Sequence, residues 1–207
     1  MKKNLIIFTR YPEIGKTKTR LIPAIGAEKA CFFHKLMTEM TMKKAEKLKE
    51  KVDVDVSIYF AGGDQTLMKA WLGSNYNYHH QNGDDLGQKM YSAFANSFNN
   101  NFSHVVLIGT DCVDLDENIL NNAFNQLDFY DLVIGKAEDG GYYLIALKQL
   151  KKELFTNIKW GSNSVFETTV GTASNLKCSI YELPTLKDID RPEDLQYLES
   201  KIISEEK

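Results

Sequence analysis

Residues 104–115, HVVLIGTDCVDL, decide how this chain reads. Val105, Val106, Leu107 and Ile108 form an unbroken apolar run closed by Gly109, the pattern of an interior parallel strand covered on both faces. Carboxylates follow at once. Asp111 and Asp114 are therefore expected just beyond the carboxyl end of that strand, where open α/β sheets collect ligands. An acid pair at such a place suits Mg²⁺ or Mn²⁺, hard cations that take oxygen ligands and share them with a substrate diphosphate. Asp116 directly precedes a helical stretch from Glu117 and reads as its cap. Cys112 has no neighbouring His to activate it and reads as a small buried thiol.

Working outward, Leu5 to Phe8 is a first buried strand, followed by a loop through Pro12 and Gly15. A helix then runs from Ala27 to Lys49, with Ala30, Phe33, Met37 and Met40 as its apolar stripe. Residues 52–60, VDVDVSIYF, alternate as a strand with one wetter face, on which Asp53 and Asp55 sit. Helices are expected at Gln65 to Leu72, along Leu86, Met90, Ala93, Phe94 and Phe98, and from Glu117 to Leu127, while residues 76–87 are an aromatic and polar segment. Asp131 to Gly135 and Tyr142 to Leu147 both read as strands. Only KAEDGG separates them, and a parallel crossover needs a dozen or more residues, so they are antiparallel neighbours or lie in different sheets. Helices near Leu150 and at 164–169, a strand at 178–183 and a closing helix from Pro192, with Leu195, Leu198 and Ile202 buried, complete the chain. The predicted class is α/β: a Rossmann-like three-layer α/β/α sandwich with a mixed, mostly parallel sheet, in one domain over 1–207.

Composition is that of a globular protein, with 43% hydrophobic and 26% charged residues. The net charge of −3 divides into +5 over residues 1–20 and −8 over the rest. Such a local basic patch favours a small anionic ligand over a nucleic-acid track. Cys31, Cys112 and Cys178 are too few and too scattered for a disulfide framework or a zinc site, which points to a reducing compartment. The amino-terminal apolar run is too short for a signal peptide, and no run approaches the ~20 residues of a membrane span, so a cytoplasmic location is expected. A homodimer is allowed by the sequence and not specified by it.

Chemistry concentrates in a few places. TRYPEIGKTKTRL, residues 9–21, carries Arg10, Lys16, Lys18 and Arg20 straight after the first strand, cations suited to a diphosphate. It is not a P-loop, because the glycine required five residues before Gly15 is Arg10. In EDGGYYL, Gly140 and Gly141 would let backbone approach a ligand, and Asp139 could orient or deprotonate a hydroxyl. His79 and His80 are adjacent in an extended stretch, point to opposite faces and cannot grip one ion. Trp160 could stack on a sugar or base; Trp71 lies in an apolar helix and reads as packing.

Taken in order, Lys18–Leu21, Asp85–Gly87 with Met90, Gly109–Cys112, Asp139–Tyr143, and Asp188–Asp190 with Asp194 resemble the successive motifs of a bacterial family of glycosyltransferases. That family was first described as a domain of unknown function, and some members accompany arsenosugar- or selenium-linked gene sets. It has the GT-A nucleotide-diphospho-sugar transferase fold. The resemblance spans nearly the whole chain, departing at Val113 and Asn163, where the family carries Pro and Thr. It implies that Asp111 is the metal-binding acid, assisted by Asp114, and that Lys18 and Arg20 hold the phosphates. Asp188 and Asp190, which follow another strand, either supply a second carboxylate near the metal, Asp190 foremost, or, for Asp190 and Asp194, begin the last helix. By the same resemblance Gln81, Leu86 and Gly87 would form the base-reading turn, and Gly140, Gly141, Tyr142 and Trp160 the sugar or acceptor pocket. The implied activity is metal-dependent transfer from a nucleotide-sugar to a small-molecule acceptor. The KTRL loop also resembles the KSRL-type loop of phospholactate guanylyltransferases, which implies as alternative a nucleotidyltransferase releasing pyrophosphate. A third class, a catalytically silent nucleotide-binding protein, would retain the cradle without turnover.

Overall fold

The computed structural model describes residues 1–205. Its strands are β1 (Lys3–Arg10), β2 (Val54–Ala61), β3 (Asn77–His80), β4 (His104–Ile108), β5 (Leu132–Ala137), β6 (Tyr142–Leu147) and β7 (Ile180–Leu186). They form one sheet in the order β3-β2-β1-β4-β6-β5-β7. Only β6 is reversed: it runs antiparallel to both β4 and β5, and every other pairing is parallel. The short connection excluded a parallel return and left antiparallel neighbours or separate sheets; the first of these is what forms.

The helices are α1 (Ile22–Ile25), α2 (Ala27–Lys51), α3 (Gln65–Leu72), α4 (Leu86–Asn99), α5 (Glu117–Gln126), α6 (Val165–Asn175) and α7 (Leu195–Glu205). Met42, Ala45 and Leu48 of α2, Met68 of α3 and Leu120 and Phe124 of α5 cover one sheet face, meeting Leu5, Ile7, Val56 and Ile108. Met90 and Phe94 of α4 and Phe166 of α6 cover the other, meeting Ile6, Val105 and Ile145. Alternate residues of β1 and β4 thus enter opposite cores, which is why both strands read as continuous apolar runs. All five residues of β4 are buried. At about 1.5–3 kcal/mol for each large side chain withdrawn from water, these two layers are the main source of stability.

Several details depart from expectation. The stripe Phe33, Met37 and Met40 is buried, but against Val113, Ile189 and Leu198 rather than the sheet, forming a third cluster that holds α7. Strand β3 lies inside the aromatic and polar segment, around the His79 and His80 that read as extended. It is a four-residue edge strand with only Tyr78 buried, too short to show a period. Helix α6 continues past Thr169 through Gly171, and the helix expected near Leu150 is a 3-10 turn at Lys152–Phe155. Strand β7 runs on through Pro184, which an edge strand tolerates. A 3-10 turn at Pro192–Asp194 precedes α7. Among the described residues no helix is long and apolar enough to cross a membrane.

Candidate active site

Beyond the carboxyl ends of β1 and β4 three distant segments converge. Lys3–Ile7 of β1 pairs in register with His104–Ile108 of β4, so the loops that follow the two strands leave the sheet side by side. The third segment is 188–190: Cys112 and Asp188 form an isolated antiparallel bridge, and the Ile189 N–H donates to the Asp111 carbonyl at 2.9 Å. That bridge brings the carboxyl-terminal acids against the strand-end acid. Lys18 ties the assembly together. Its Nζ lies 2.9 Å from Asp111 Oδ1 and 3.9 Å from Asp190 Oδ1, and it donates to the Ile189 carbonyl. Its side chain is 5% exposed, so this ammonium is held rather than solvated. The backbone of Lys18 is left-handed at φ 46°, an uncommon and strained state for a residue with a side chain.

Arg20 pairs with Asp190 while remaining largely open to solvent. Lys16 pairs with Glu13 at 2.6 Å, which holds the Glu13 carboxyl below its ordinary range. Arg10 Nε is buried with no hydrogen-bond partner. His34 shares the cleft and donates its Nε2–H to the Arg10 carbonyl at 2.8 Å; burial lowers its pKa, keeping the ring neutral at pH 7. All four loop cations line a cavity of about 360 Å³, together with Gln81 and Asp111. A second cavity of about 260 Å³ adjoins it, with Met90, Leu107, Tyr142 and Asp188 in its walls. Phe8, Leu86, Gly109 and Asp111 belong to both, so Asp111 stands at the junction of a cationic chamber and an apolar one.

Asp188 is the anomalous acid. Its Oδ1 is buried without a hydrogen-bond partner. Burial, then the negative charges of Asp111 and Asp139, push its carboxyl up to about 7, against a smaller opposing pull from Lys18. Of the two acids expected to offer a second carboxylate, Asp190 is engaged by Arg20 and Lys18, so the one with unused capacity is Asp188. Alternation does not separate residues 188 and 190, which share a parity; their partners do, two cations for Asp190 and no hydrogen bond for the buried Asp188 Oδ1. Among the described residues no three His, Cys, Asp or Glu side chains form a ready-made metal cage. The oxygen donors of Asp111 and the orphaned Asp188 fit a hard cation that completes its shell with phosphate oxygens.

Residues 43–162 match the family described as an uncharacterized protein conserved in bacteria (DUF2064). A Desulfovibrio desulfuricans G20 protein provisionally named a nucleotide-diphospho-sugar transferase is 32% identical, over 96% of this chain and 87% of that one, with a TM-score of 0.89. The chain belongs to the DUF2064 family. Two more distant structures share its fold alone. The 4-diphosphocytidyl-2C-methyl-D-erythritol synthase of Anaerococcus prevotii DSM 20548 is 11% identical over 97% of this chain and 96% of its own, at a TM-score of 0.66. The manganese complex of Rv0371c from Mycobacterium tuberculosis H37Rv is 12% identical over 96% and 98%, at 0.60. No curated protein matches the sequence. This DUF2064 chain accordingly has the nucleotide-diphospho-sugar transferase fold.

Other expected site residues of this DUF2064 chain serve the scaffold. Asp114 turns away to α7, where Tyr197 donates to it and Lys201 lies 2.6 Å from Oδ1, so it anchors a helix rather than assisting Asp111. Gly87 is a packing glycine: a Cβ there would meet the Phe155 carbonyl at 2.4 Å and the Trp160 ring at 2.7 Å. Trp160 is half-buried beside Gly87, in edge-on contact with Tyr142 at 6.4 Å, and lines neither of the two cavities. At Gly140 the close approach is to the backbone of Asn163, not to a ligand. Gly141 N–H donates to Asp139 Oδ1 at 2.8 Å, leaving the other Asp139 oxygen for solvent or substrate. Gln81 donates Nε2–H to the carbonyls of Thr9 and Tyr59, both at 3.1 Å, so only its oxygen can face a base. Asp116 caps α5 through Asn118 and Ile119, and His79 and His80 stack separately on Tyr59 and Phe60.

Proposed function

We propose that this protein is an enzyme that transfers a glycosyl group from a nucleotide-diphospho-sugar to a small acceptor. The observation that carries the reading is the position of Asp111, shared by the cationic and apolar chambers and 2.9 Å from Lys18. The diphosphate occupies the first chamber, held by Lys18, Arg20 and the unpartnered Arg10 Nε, with the oxygen of Gln81 facing the base. Mg²⁺ or Mn²⁺ held by Asp111 and Asp188 would neutralise charge that grows on the departing diphosphate. The acceptor oxygen bonds to the anomeric carbon as the bond from that carbon to the β-phosphate oxygen breaks. The nucleoside diphosphate leaves with the electron pair. The free oxygen of Asp139 takes the acceptor proton. No protein nucleophile is needed, and Cys112, whose thiol is pushed up to about 12 by burial, is unsuited to be one.

The same cradle serves nucleotidyl transfer, in which an acceptor attacks the α-phosphorus of a nucleoside triphosphate and pyrophosphate departs; the KTRL loop supports this second reading. Incubation with nucleotide sugars and nucleoside triphosphates in the presence of Mn²⁺ separates the cases. Nucleoside diphosphate release supports glycosyl transfer, pyrophosphate release replaces it with nucleotidyl transfer, and binding without turnover removes both. Asp111→Ala is expected to abolish metal-dependent turnover while the fold survives; full activity in that variant would remove the metal assignment.

A further inference from the structure

The second chamber has a composition at odds with sugar binding. Its walls are the rings of Phe8, Tyr142 and Tyr143 and the side chains of Met90 and Leu107. The two phenols supply the only hydroxyls in its lining, and one of them already donates to main chain. Tyr143 donates its hydroxyl to the Pro184 carbonyl at 2.9 Å, and the Tyr142 hydroxyl meets only the Met90 sulfur, at 3.7 Å. The other polar groups of the lining are the Cys112 thiol and the carboxyls of Asp111 and Asp188, and a carboxylate accepts a hydrogen bond from a hydroxyl. A hexose placed inside would bury several hydroxyls against apolar walls without partners, which binding does not tolerate. The volume, about 260 Å³, exceeds the ~150 Å³ apolar cavity that takes one benzene ring and falls below the ~300–1,000 Å³ of sites for drug-sized ligands.

The chamber also communicates with the reacting centre. Gly109 lines both cavities, and a Cβ built on it would touch nothing within 4 Å, so the passage at the end of β4 is open. A molecule seated with its apolar body between the tyrosines and Leu107 would present its polar end at Asp111.

We propose that the acceptor is a compact amphipathic alcohol, with a body of about one aromatic ring in the second chamber and a single hydroxyl directed at the carboxylates of the site, Asp139 taking its proton. This rests on the transferase reading for the word acceptor, but not for the chemistry of the chamber. The test uses the full chain with Mn²⁺ and a panel of uridine, cytidine and guanosine diphosphates, to which 2-phenylethanol or methyl β-glucoside is added as probe. Saturation-transfer NMR and calorimetry read binding. 2-Phenylethanol is expected to bind at least tenfold tighter than the glucoside. Leu107→Phe, which fills the chamber, should weaken it tenfold or more, whereas Leu107→Ala, which enlarges it, should keep it within threefold. Should Leu107→Phe fail to fold, Met90→Phe fills the same space from α4. Equal or tighter binding of the glucoside, or filling variants that leave the alcohol unaffected, would overturn the proposal. Failure of every nucleoside diphosphate to bind would strike the transferase reading instead, and the probe comparison would still stand on its own.

Discussion

At the residue scale, the site combines groups that are costly to keep and are retained by their neighbours. Asp188 is the clearest case. Its carboxyl is raised to about 7 from an ordinary value of 3.8, so the folded protein binds that proton more tightly than the unfolded chain does. Stability therefore falls as pH rises from about 4 towards 7, and the whole penalty is present above 7. Asp188→Asn is expected to raise stability at pH 8 by on the order of 1–3 kcal/mol and to flatten the dependence between pH 4 and 7, as read by denaturant unfolding across pH. An unchanged profile would mean that Asp188 is not the desolvated acid. Glycines give a second contrast. Gly140 has φ +90° and a Cβ there would lie 2.1 Å from the Asn163 carbonyl oxygen, whereas at Gly109 it would meet nothing. Gly140→Ala should cost about 2–4 kcal/mol, combining backbone strain with a clash against main chain, while Gly109→Ala should stay within about 0.5 kcal/mol. Thermal melts of the two variants check this, and equal losses would contradict it. The gathering of Asp111 with Lys18 and Arg20 was legible because Asp111 stands three residues past β4 and the two cations eight and ten residues past β1, strands whose apolar runs are unmistakable. Asp188 and Asp190 were both candidates for a second carboxylate, and the sequence does not say which of the two the basic side chains occupy.

At the scale of elements, long apolar segments declared themselves and short ones did not. Strand β6 and helix α3 coincide with their expected bounds, because each is an uninterrupted pattern flanked by turn residues or a cap. Strand β3 was hidden by its four-residue length, and α6 by Gly171 and a run of threonines that weaken the helical signal. The third apolar cluster was invisible for a different reason: the stripe on α2 announced a buried face without saying whether a sheet or another helix covers it. That ambiguity also misassigned Asp114, which belongs to the α2–α7 layer through Tyr197 and Lys201 and not to the ligand cleft. Asp114→Ala should lower stability by about 1–2 kcal/mol by stripping partners from both side chains, and leave metal-dependent turnover within about twofold. Measured side by side with Asp111→Ala, a loss of metal response in Asp114→Ala would return that residue to the site.

For the whole molecule, the cleft is a junction of residues 10–20, 109–111 and 188–190, and Lys18 bridges the last two to the first. No single segment contains the site, so ligand binding must be felt by the global fold: a diphosphate that engages the Lys18 loop and the strand-end acid stabilises contacts that unfolding would separate. Anything binding only the folded chain adds about 2.7 kcal/mol of stability at 100 times its Kd. For a protein of this size that corresponds to a rise in Tm of roughly 5–10 °C. The expected result is a shift of that order when the cognate nucleoside diphosphate and Mn²⁺ are added together, with much smaller shifts for either alone, because Asp111 and the loop cations each supply only part of the cradle. Lys18→Ala should lose most of the joint shift, and so should Asp111→Ala, since each removes one side of the 2.9 Å pair. Raising salt should shrink it as well, for the cations lie in a cleft open to solvent. Shifts in both variants equal to that of the parent protein would mean that the ligand stabilises some other part of the fold, and that the meeting of these three segments is a structural joint rather than a binding site.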